Sequence, residues 1–374
     1  MVRILCFICF FSSCTTIKYV TNQKIDLTQQ SAGVTIINNL PIIDGEFDGI
    51  KTRFLIDTGA TTTFLTDSLG LSSVATKAFG TFGKSMEANR KKNPNKMLTA
   101  KVSTALFNSD NKTFLLLNKR QGHCKTAFFQ GIIGMDMFFH DKMALMMDFG
   151  NSRFQNISPQ ELSRMVDADK YKIVKSQVRF NMIYIYLHLE GKEYRFKLDT
   201  GYTGSMIIPL SDEISFQNTN TMILEGSVYN TLTSNTSGKE ILFEKMPIAF
   251  AGQTFETKVN VSTSIKAQNL GMAFIKGYDW IIDYNQSKVY VKRNKNKIES
   301  TFNRKVSYYV TATNKLTIIT KEHSQTKYNL GDEIITVNGE KVTPQNICEF
   351  QDLLNKTEDW NTLNLEVAPA TTGR

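Results

Sequence analysis

The stretch Phe54–Leu65, FLIDTGATTTFL, places an acidic residue, Asp57, at the end of an apolar run. The β-favouring residues before Asp57 predict a buried strand, and the Thr-Gly after it predicts a turn. Gly59 has no Cβ, so the backbone of this turn can approach another group closely. A carboxylate in such a place is costly unless it is hydrogen-bonded or shares a proton. Asp57 is therefore a candidate for chemistry, although one Asp-Thr-Gly is too short to establish it.

The same pattern recurs once in the chain. Phe196–Ile208 reads FKLDTGYTGSMII and places Asp199 behind a second apolar run. In both copies an Arg-Phe pair and a glycine occupy the same positions upstream of the acid. Downstream, the segment 131–138, GIIGMDMF, is matched by 269–275, NLGMAFI, and each runs into an apolar strand that ends in Asp and an aromatic residue. Such a repeat indicates an internal duplication with short loop deletions.

Two such acids in a duplicated chain can act together in acid–base chemistry. Two copies of a lobe can pack about a pseudo-two-fold axis, as identical subunits do about a true one. This packing would bring Asp57 and Asp199 face to face, where two carboxylates hold one proton between them. One group can then accept a proton from water while the other donates to a carbonyl oxygen. That is general acid–base hydrolysis of an amide.

These motifs resemble the pepsin and retropepsin superfamily of aspartic proteases, in particular bacterial retropepsin-like proteins with two lobes in one chain. The resemblance covers residues 34–295 and implies an all-β fold of two β-barrel lobes. It also implies that the protein cleaves polypeptides as a monomer and without a cofactor. It implies that Asp57 and Asp199 are the catalytic pair. The residues that it implies as supports are Thr58 and Thr200, which would interlock beneath the acids, and Gly59 and Gly201, which would allow close approach.

The second copy departs from the family pattern. Ala60 follows the first Asp-Thr-Gly, as is usual, but Tyr202 follows the second. Both positions are candidate substrate subsites, and it stays open whether Tyr202 crowds the two acids or shapes a subsite. Asn269 stands where an apolar residue is expected, and Ala273 stands where the first copy has Asp136. The second lobe is therefore the more diverged.

The chain order predicts the following organisation. The first lobe spans 34–160, a connection spans 161–172 and the second lobe spans 173–295. In the family each lobe carries a flap, here within 87–96 and 221–250. The basic run in the first flap either recruits acidic peptides or is a solvated loop. Tyr229 in the second flap either faces substrate or packs locally.

The N-terminal residues predict export. Residues 1–13 combine one basic residue, an apolar run and small residues, which is typical of a signal peptide and too short for a membrane-spanning helix. Ser-Ser before Cys14 resembles the bacterial lipoprotein cleavage box and predicts a lipid on Cys14, a tether over 14–33 and a location at the cell envelope, periplasmic or surface-facing. The alternatives are an ordinary secretory signal or an uncleaved anchor.

Residues 300–370 predict a small α+β domain. The segment 328–339, YNLGDEIITVNG, followed by a helical stretch over 344–355, resembles part of a PDZ domain. That resemblance implies binding of peptide tails by strand addition. No clear glycine-rich carboxylate loop precedes it, so a purely structural appendage is the alternative.

The cysteine, histidine and basic residues argue against a disulfide framework, a metal site and nucleic-acid binding. Outside the first 14 residues only Cys124 and Cys348 remain, and we predict two small buried side chains rather than a disulfide. The four His residues have no paired spacing for a metal site. His188 alternates into an apolar strand and is predicted to be exposed. The net charge of +9 is modest, and the basic run 292–297 is too short to predict nucleic-acid binding.

Two functions from different classes follow. The first is an envelope-tethered aspartic endopeptidase. The second is a non-catalytic peptide-binding lipoprotein that keeps the same fold. The intact Asp-Thr-Gly in both copies favours the enzyme, whereas Tyr202 and the diverged second lobe favour the binder.

Overall fold

The computed structural model describes residues 23–66, 77–87, 90–117, 124, 128–211, 214–302 and 308–370. This part of the chain is predominantly β, which confirms the all-β prediction. The predicted signal peptide, 1–13, and the predicted lipidation site, Cys14, lie outside the described residues. Within them, none of the helices has the length and apolar character needed to cross a membrane.

The first half of the chain forms a closed barrel. Its strands are β1 Asp26–Leu27, β2 Ser31–Gly33, β3 Thr35–Ile37, β4 Leu40–Phe47, β5 Ile50–Ile56, β6 Phe64–Thr66, β7 Lys77–Met86, β8 Lys92–Thr104, β9 Phe107–Leu117, β10 Gly131–Ile133, β11 Ala144–Asp148 and β12 Arg153–Ile157, with a 3-10 helix at Met135–Met137. Six strands close in the order β4-β5-β10-β6-β9-β8 and back to β4. β10 is parallel to β5 and antiparallel to β6, so it lies between the strands that flank Asp57.

The second half repeats this barrel. Its elements are α1 Pro159–Ala168, β13 Lys172–Val174, β14 Ser176–Arg179, β15 Met182–Leu189, β16 Lys192–Leu198, β17 Met206–Pro209, β18 Thr221–Asn230, β19 Asn235–Phe250, β20 Gln253–Ser262, β21 Asn269–Leu270, α2 Met272–Ile275, β22 Tyr278–Asp283 and β23 Lys288–Arg293. Six strands close in the order β15-β16-β21-β17-β20-β19 and back to β15. The order and the strand directions equal those of the first barrel, so the sequence repeat has a structural counterpart.

A shared sheet joins the two halves. Its order is β13-β23-β22-β11-β12-β2, and its central pair, β11 and β22, contributes one strand from each half. Met146 lies opposite Ile281, and these residues are 135 positions apart (281 − 146), the same offset that separates the Asp residues that end these two strands (283 − 148). Equivalent residues therefore pair with each other, as a pseudo-two-fold axis requires. Phe54, Phe196 and Trp280 belong to one continuous hydrophobic core, so the halves are stabilised together.

The structure differs from the predicted tether, 14–33, and contains the helix start predicted for the connection between the halves. The predicted tether, 14–33, differs from the structure over its described part, because β1 pairs with β9 and β2 pairs with β12. Ile25 and Ala32 are buried there, and their apolar side chains explain why this polar-looking segment belongs to the fold. The connection between the halves begins with α1 as its capping pattern predicts: Glu161 N–H donates to Ser158 Oγ at 3.2 Å.

The C-terminal block has its own small core. Its elements are β24 Tyr308–Ala312, β25 Leu316–Glu322, β26 Glu333–Val337, β27 Glu340–Lys341, α3 Ile347–Lys356, a 3-10 helix at Trp360–Thr362 and β28 Leu365–Ala368. The rings of Tyr308, Tyr328 and Trp360 pack together at its centre. β25 also pairs with β18, so this block extends the sheet that contains the second barrel.

A disulfide contradicts the prediction made for the cysteines. Cys124 and Cys348 are bonded, with their Cα atoms 5.1 Å apart and a separation of 224 positions along the chain. The prediction of two unpaired buried thiols is therefore wrong. No local pattern could have revealed the pairing, because it depends on how α3 of the C-terminal block lies against the first half. The bond links these two parts of the chain covalently.

We expect this disulfide to contribute measurably to stability. Replacing both cysteines by serine should lower the free energy of unfolding by about 2–4 kcal/mol, because the closed loop is long and the unfolded chain regains freedom. Thermal unfolding of the oxidised protein and of the Cys124→Ser/Cys348→Ser variant would measure the difference. A reductant should lower the Tm of the parent protein and leave that of the variant unchanged. Equal Tm values for the two proteins would contradict the prediction.

Candidate active site

The two predicted acids occupy equivalent positions in the two barrels. Asp57 directly follows β5, and Asp199 directly follows β16. The Asp57 N–H donates to Ile133 O at 3.0 Å, and the Asp199 N–H donates to Leu270 O at 2.9 Å. Both acceptors lie on the strand that is threaded between the strands flanking each acid. The backbone at both acids is therefore fixed in the same way.

The glycines hold the two turns against each other. Gly59 N–H donates to Asp57 Oδ1 at 2.8 Å, and Gly201 N–H donates to Asp199 Oδ1 at 3.1 Å. A Cβ on Gly59 would overlap the carboxylate of Asp199, and one on Gly201 would lie 2.5 Å from Asp57 Oδ2. Each turn therefore packs on the acid of the opposite half. The predicted need for glycine at both positions has this steric cause.

The two threonines interlock beneath the acids. Thr58 Oγ1 donates to Leu198 O at 2.9 Å, and Thr200 Oγ1 donates to Ile56 O at 2.6 Å. Each hydroxyl also accepts the backbone N–H of the other threonine, at 2.9 and 3.0 Å. Both side chains are fully buried. Four reciprocal hydrogen bonds thus cross between the halves and fix the spacing of the acids, as the resemblance implies.

The two carboxyl groups interact strongly. Each lies against the turn that carries the other, and burial, followed by the negative charge of Asp199, raises the pKa of Asp57 to about 7. The ammonium group of Lys197 and the N–H of Gly59 oppose this shift. Asp57 therefore keeps its proton through the acidic range. A pair that holds one proton has both a donor and an acceptor for chemistry.

The predicted downstream glycine segments pass beside the two turns. A Cβ on Gly134 would lie 2.6 Å from Thr62 O, and one on Gly271 would lie 2.6 Å from Tyr202 O. Only glycine allows the backbones to approach this closely. The alignment of these segments between the two copies therefore identifies equivalent structural positions.

The second acid has two polar neighbours that the first lacks. Asn269 Nδ2 donates to Asp199 Oδ2 at 2.8 Å, and Lys197 Nζ lies 3.5 Å from the same oxygen. Sequence analysis noted Asn269 as a departure from the family pattern but missed Lys197. Aligning the two copies would have revealed it, since Lys197 replaces Leu55 two residues before the acid.

The two candidate subsite residues lie in different surroundings. Ala60 packs on an apolar cluster of the first half. Tyr202 lies over Gly204 and against the ring of Tyr229, with ring centroids 6.4 Å apart. Burial, followed by the charges of Asp199 and Asp57, raises the pKa of Tyr229. Tyr229 therefore packs locally on Tyr202, close enough to the acids for their charges to raise its pKa, and its contact with substrate stays a prediction.

Two long hairpins meet above the acids. The first is β7–β8 and the second is β18–β19. Glu87, at the first tip, accepts hydrogen bonds from Thr231 Oγ1 and Ser234 Oγ, both at 2.8 Å, and from Thr233 Oγ1. Leu232, at the second tip, packs on apolar residues of the first half. We call this contact between the tips the flap clasp.

The chain matches no family model and no curated protein. What the protein does is therefore inferred from the arrangement of its residues. The feature that any function must explain is a pair of adjacent acids, Asp57 partly buried and Asp199 buried, held by interlocked turns on a pseudo-two-fold axis. Buried carboxyl groups in such close contact are costly, and perturbed pairs of this kind are concentrated at functional sites.

Proposed function

We propose that this protein is an aspartic endopeptidase of the pepsin and retropepsin type. The observation that carries the proposal is the close pair of Asp57 and Asp199, each packed against the turn of the other, with the pKa of Asp57 raised to about 7. The threonine interlock and the identical strand order of the two barrels support it, because both hold the acids in a fixed relation. The substrate class is an extended polypeptide.

The reaction would use water as the nucleophile. The ionised carboxylate accepts a proton from the water as its oxygen attacks the carbonyl carbon, and the protonated carboxyl donates to the carbonyl oxygen. The tetrahedral intermediate then collapses: the C–N bond breaks, and the leaving nitrogen takes a proton from the newly protonated carboxyl. The other carboxylate takes back a proton from a hydroxyl of the intermediate, so the pair again holds one proton. No covalent enzyme intermediate forms. The fixed positions of the acids lower the entropic part of the barrier.

Substrate would lie beneath the hairpins β7–β8 and β18–β19. An extended peptide can hydrogen-bond along strand edges, with pockets receiving alternate side chains. Tyr202 and Tyr229 supply aromatic surface on the side of the second half. Entry requires the flap clasp to open, because Glu87 joins the two tips. Opening breaks a small number of hydrogen bonds that water can replace.

The pH dependence of hydrolysis follows from the raised pKa of Asp57. The reactive pair needs one proton, and Asp57 retains it until the pH approaches about 7. We expect kcat/KM to fall on the basic side with a midpoint near that value. Steady-state rates on a peptide library between acidic and mildly basic pH would measure it. A basic midpoint of about 4, the ordinary value for Asp, would contradict the proposed pair.

The C-terminal block has a structural role in this proposal. The backbone of Val310 on β24 is already hydrogen-bonded by the side chain of Asn355 from α3, at 3.0 and 3.2 Å. A peptide adding to this edge, as in a PDZ domain, would have to displace Asn355. The pairing of β25 with β18 and the disulfide instead support a brace between the second flap and the first half. Binding of peptide tails is the alternative.

Export and anchoring remain part of the proposal. The sequence features of residues 1–14 carry the lipoprotein assignment. The disulfide supports an oxidising compartment outside the cytoplasm, since such bonds persist there. The exported protein would then be a protease of the cell envelope that is tethered through a lipid on Cys14. Metabolic labelling with a fatty acid, with and without Cys14→Ser, would test the lipid attachment.

The second candidate is a peptide-binding protein without activity. Lys197 and Asn269 favour it, because both contact Asp199 whereas the equivalent residues of the first half, Leu55 and Ile132, are apolar, so the two halves of the site are unequal. The discriminating experiment incubates the purified full chain with a broad peptide library and measures both cleavage and binding. Cleavage supports the protease. Binding without cleavage at any pH supports the second candidate.

A further inference from the structure

Besides Ala60 and Tyr202, the two barrels differ at one pair of equivalent strand positions next to the acids. In the first half, Leu55 on β5 pairs with Ile132 on β10. In the second half, Lys197 on β16 pairs with Asn269 on β21. An apolar pair is thus replaced by a cation and an amide at the same register. The rest of the turn, including both threonines and glycines, is equivalent in the two halves.

Both polar side chains act on the same acid. Asn269, which is fully buried, donates to Asp199 Oδ2 at 2.8 Å, and Lys197 Nζ lies 3.5 Å from that oxygen. Lys197 also donates to Gly59 O at 3.2 Å, which ties it to the turn of the first half. Its side chain is 18% exposed, so solvent screens the pair only in part. The carboxylate of Asp57 has no such pair of donors at its own register.

We propose that Lys197 and Asn269 are positioning residues that localise the negative charge of the pair on Asp199, which makes Asp199 the base and Asp57 the acid. Hydrogen bonds to a charged acceptor are stronger than neutral ones, so a nearby ammonium and amide stabilise the ionised carboxylate. The division of roles rests on the proposed protease function. The distribution of charge does not, because it is a property of the free protein.

The protonation of Lys197 is consistent with this role. Burial lowers the pKa of Lys197, but the charges of Asp199 and Asp57 outweigh it, and the net shift is upward. The ammonium therefore stays charged over the range in which the acids titrate. Loss of this charge would raise the pH at which the first proton leaves the pair. It would also raise the pH at which Asp57 loses its proton, since Lys197 lowers the pKa of Asp57.

Other titratable groups face the pair and must be controlled. Tyr184 on β15 faces Lys197, and Tyr229 on β18 faces both acids. Tyr202 follows the second turn, and Glu240 on β19 lies near both Tyr202 and Tyr229. Burial raises the pKa of Tyr202 and Tyr229 above the ordinary value for tyrosine, and it raises the pKa of Glu240 to about 7. A Glu240→Gln variant therefore separates its titration from that of the pair.

The test is a titration of the carboxyl carbons in the purified full chain. Aspartate labelled with ¹³C at the carboxyl carbon, assigned with Asp57→Asn and Asp199→Asn, reports which acid ionises first. We expect Asp199 to ionise first in the parent. In Lys197→Met we expect its midpoint to rise by about 1–3 pH units, the size of the effect of a neighbouring opposite charge. Lys197→Arg should restore it.

Matched variants separate charge from packing. Leu55→Met changes the equivalent position of the first half and should leave both midpoints unchanged. Asn269→Leu should raise the Asp199 midpoint by less than Lys197→Met, because it removes a neutral donor. If Lys197→Met does not fold, Lys197→Gln removes the charge but keeps a polar side chain. Unfolding temperatures of all the variants identify those whose fold has changed.

Each outcome distinguishes this inference from the proposed function. If Asp57 ionises first, or if removing the Lys197 charge leaves the Asp199 midpoint unchanged in a folded variant, the inference is overturned. If the midpoints behave as expected but no peptide is cleaved, the charge distribution stands and the protease proposal fails. If peptides are cleaved, both limbs of the pH profile of kcat/KM should shift upward in Lys197→Met and not in Leu55→Met.

Discussion

Substituting Asn for either Asp57 or Asp199 is expected to lower kcat/KM for peptide hydrolysis by about 10³- to 10⁴-fold, the full contribution of general acid–base catalysis. Asn can neither accept the proton of the attacking water nor donate one to the carbonyl oxygen. The two single variants should be about equally inactive, because each removes one member of a pair that acts as a unit. The double variant should be no worse than either single variant.

The folded state provides the control for these variants. Asn is nearly the same size as Asp and keeps an oxygen that can accept the glycine N–H in each turn. The substitution also removes a buried charge or a buried like-charge contact, so the unfolding temperature should not fall. Full activity in either folded variant would contradict the assignment of both acids. Loss of activity in only one of them would indicate that the site is not shared.

The second large effect is expected at the threonine interlock. Thr58→Val keeps the shape of the side chain but removes the hydroxyl, which leaves Leu198 O and the N–H of Thr200 without their partner. Each buried group left unpaired costs about 1–3 kcal/mol, so we expect a loss of about 2–5 kcal/mol in the free energy of unfolding. Denaturant unfolding of the two proteins would measure this loss.

The matched control is Thr58→Ser. Serine keeps the hydroxyl and loses one methyl group, so most of the stability and the activity should be retained. Thr200→Val and Thr200→Ser should reproduce the pattern, since the interlock is reciprocal. We also expect Thr58→Val to lower kcat in its folded fraction, because the acids lose their fixed spacing. If Val and Ser variants are equally stable, the hydroxyls do not hold the turns together.

Local sequence predicted the parts of the site that repeat. The two Asp-Thr-Gly turns, their glycine segments and the strands on both sides could be recognised because the chain carries each of them twice. The repeated Asp-Thr-Gly aligns Asp57 with Asp199, and the close approach of the two turns explains the glycines. The role of the threonines came from the resemblance to a known family. The α1 cap could be predicted for a similar reason, since Ser158 and Glu161 interact within one turn.

The features that sequence analysis missed depend on contacts between distant segments. The disulfide of Cys124 and Cys348 and the pairing of β25 with β18 arise only when the C-terminal block docks. The flap clasp joins Glu87 to a loop more than 140 residues away. The segment 23–33 looks like a tether because it is polar, yet its strands are fixed by partners elsewhere. Periodicity does not carry such information.

One measurement tests the central claim, that the two halves share a single hydrolytic site. Purified full chain that cleaves peptides is titrated with a peptide analogue in which a hydroxyl-bearing carbon replaces the scissile carbonyl, and the remaining activity is followed. The account predicts that activity falls linearly to zero at one analogue per chain, and that Asp57→Asn and Asp199→Asn both weaken the binding of the analogue. Activity that persists at saturating analogue, or a chain that binds peptides and cleaves none, would contradict it.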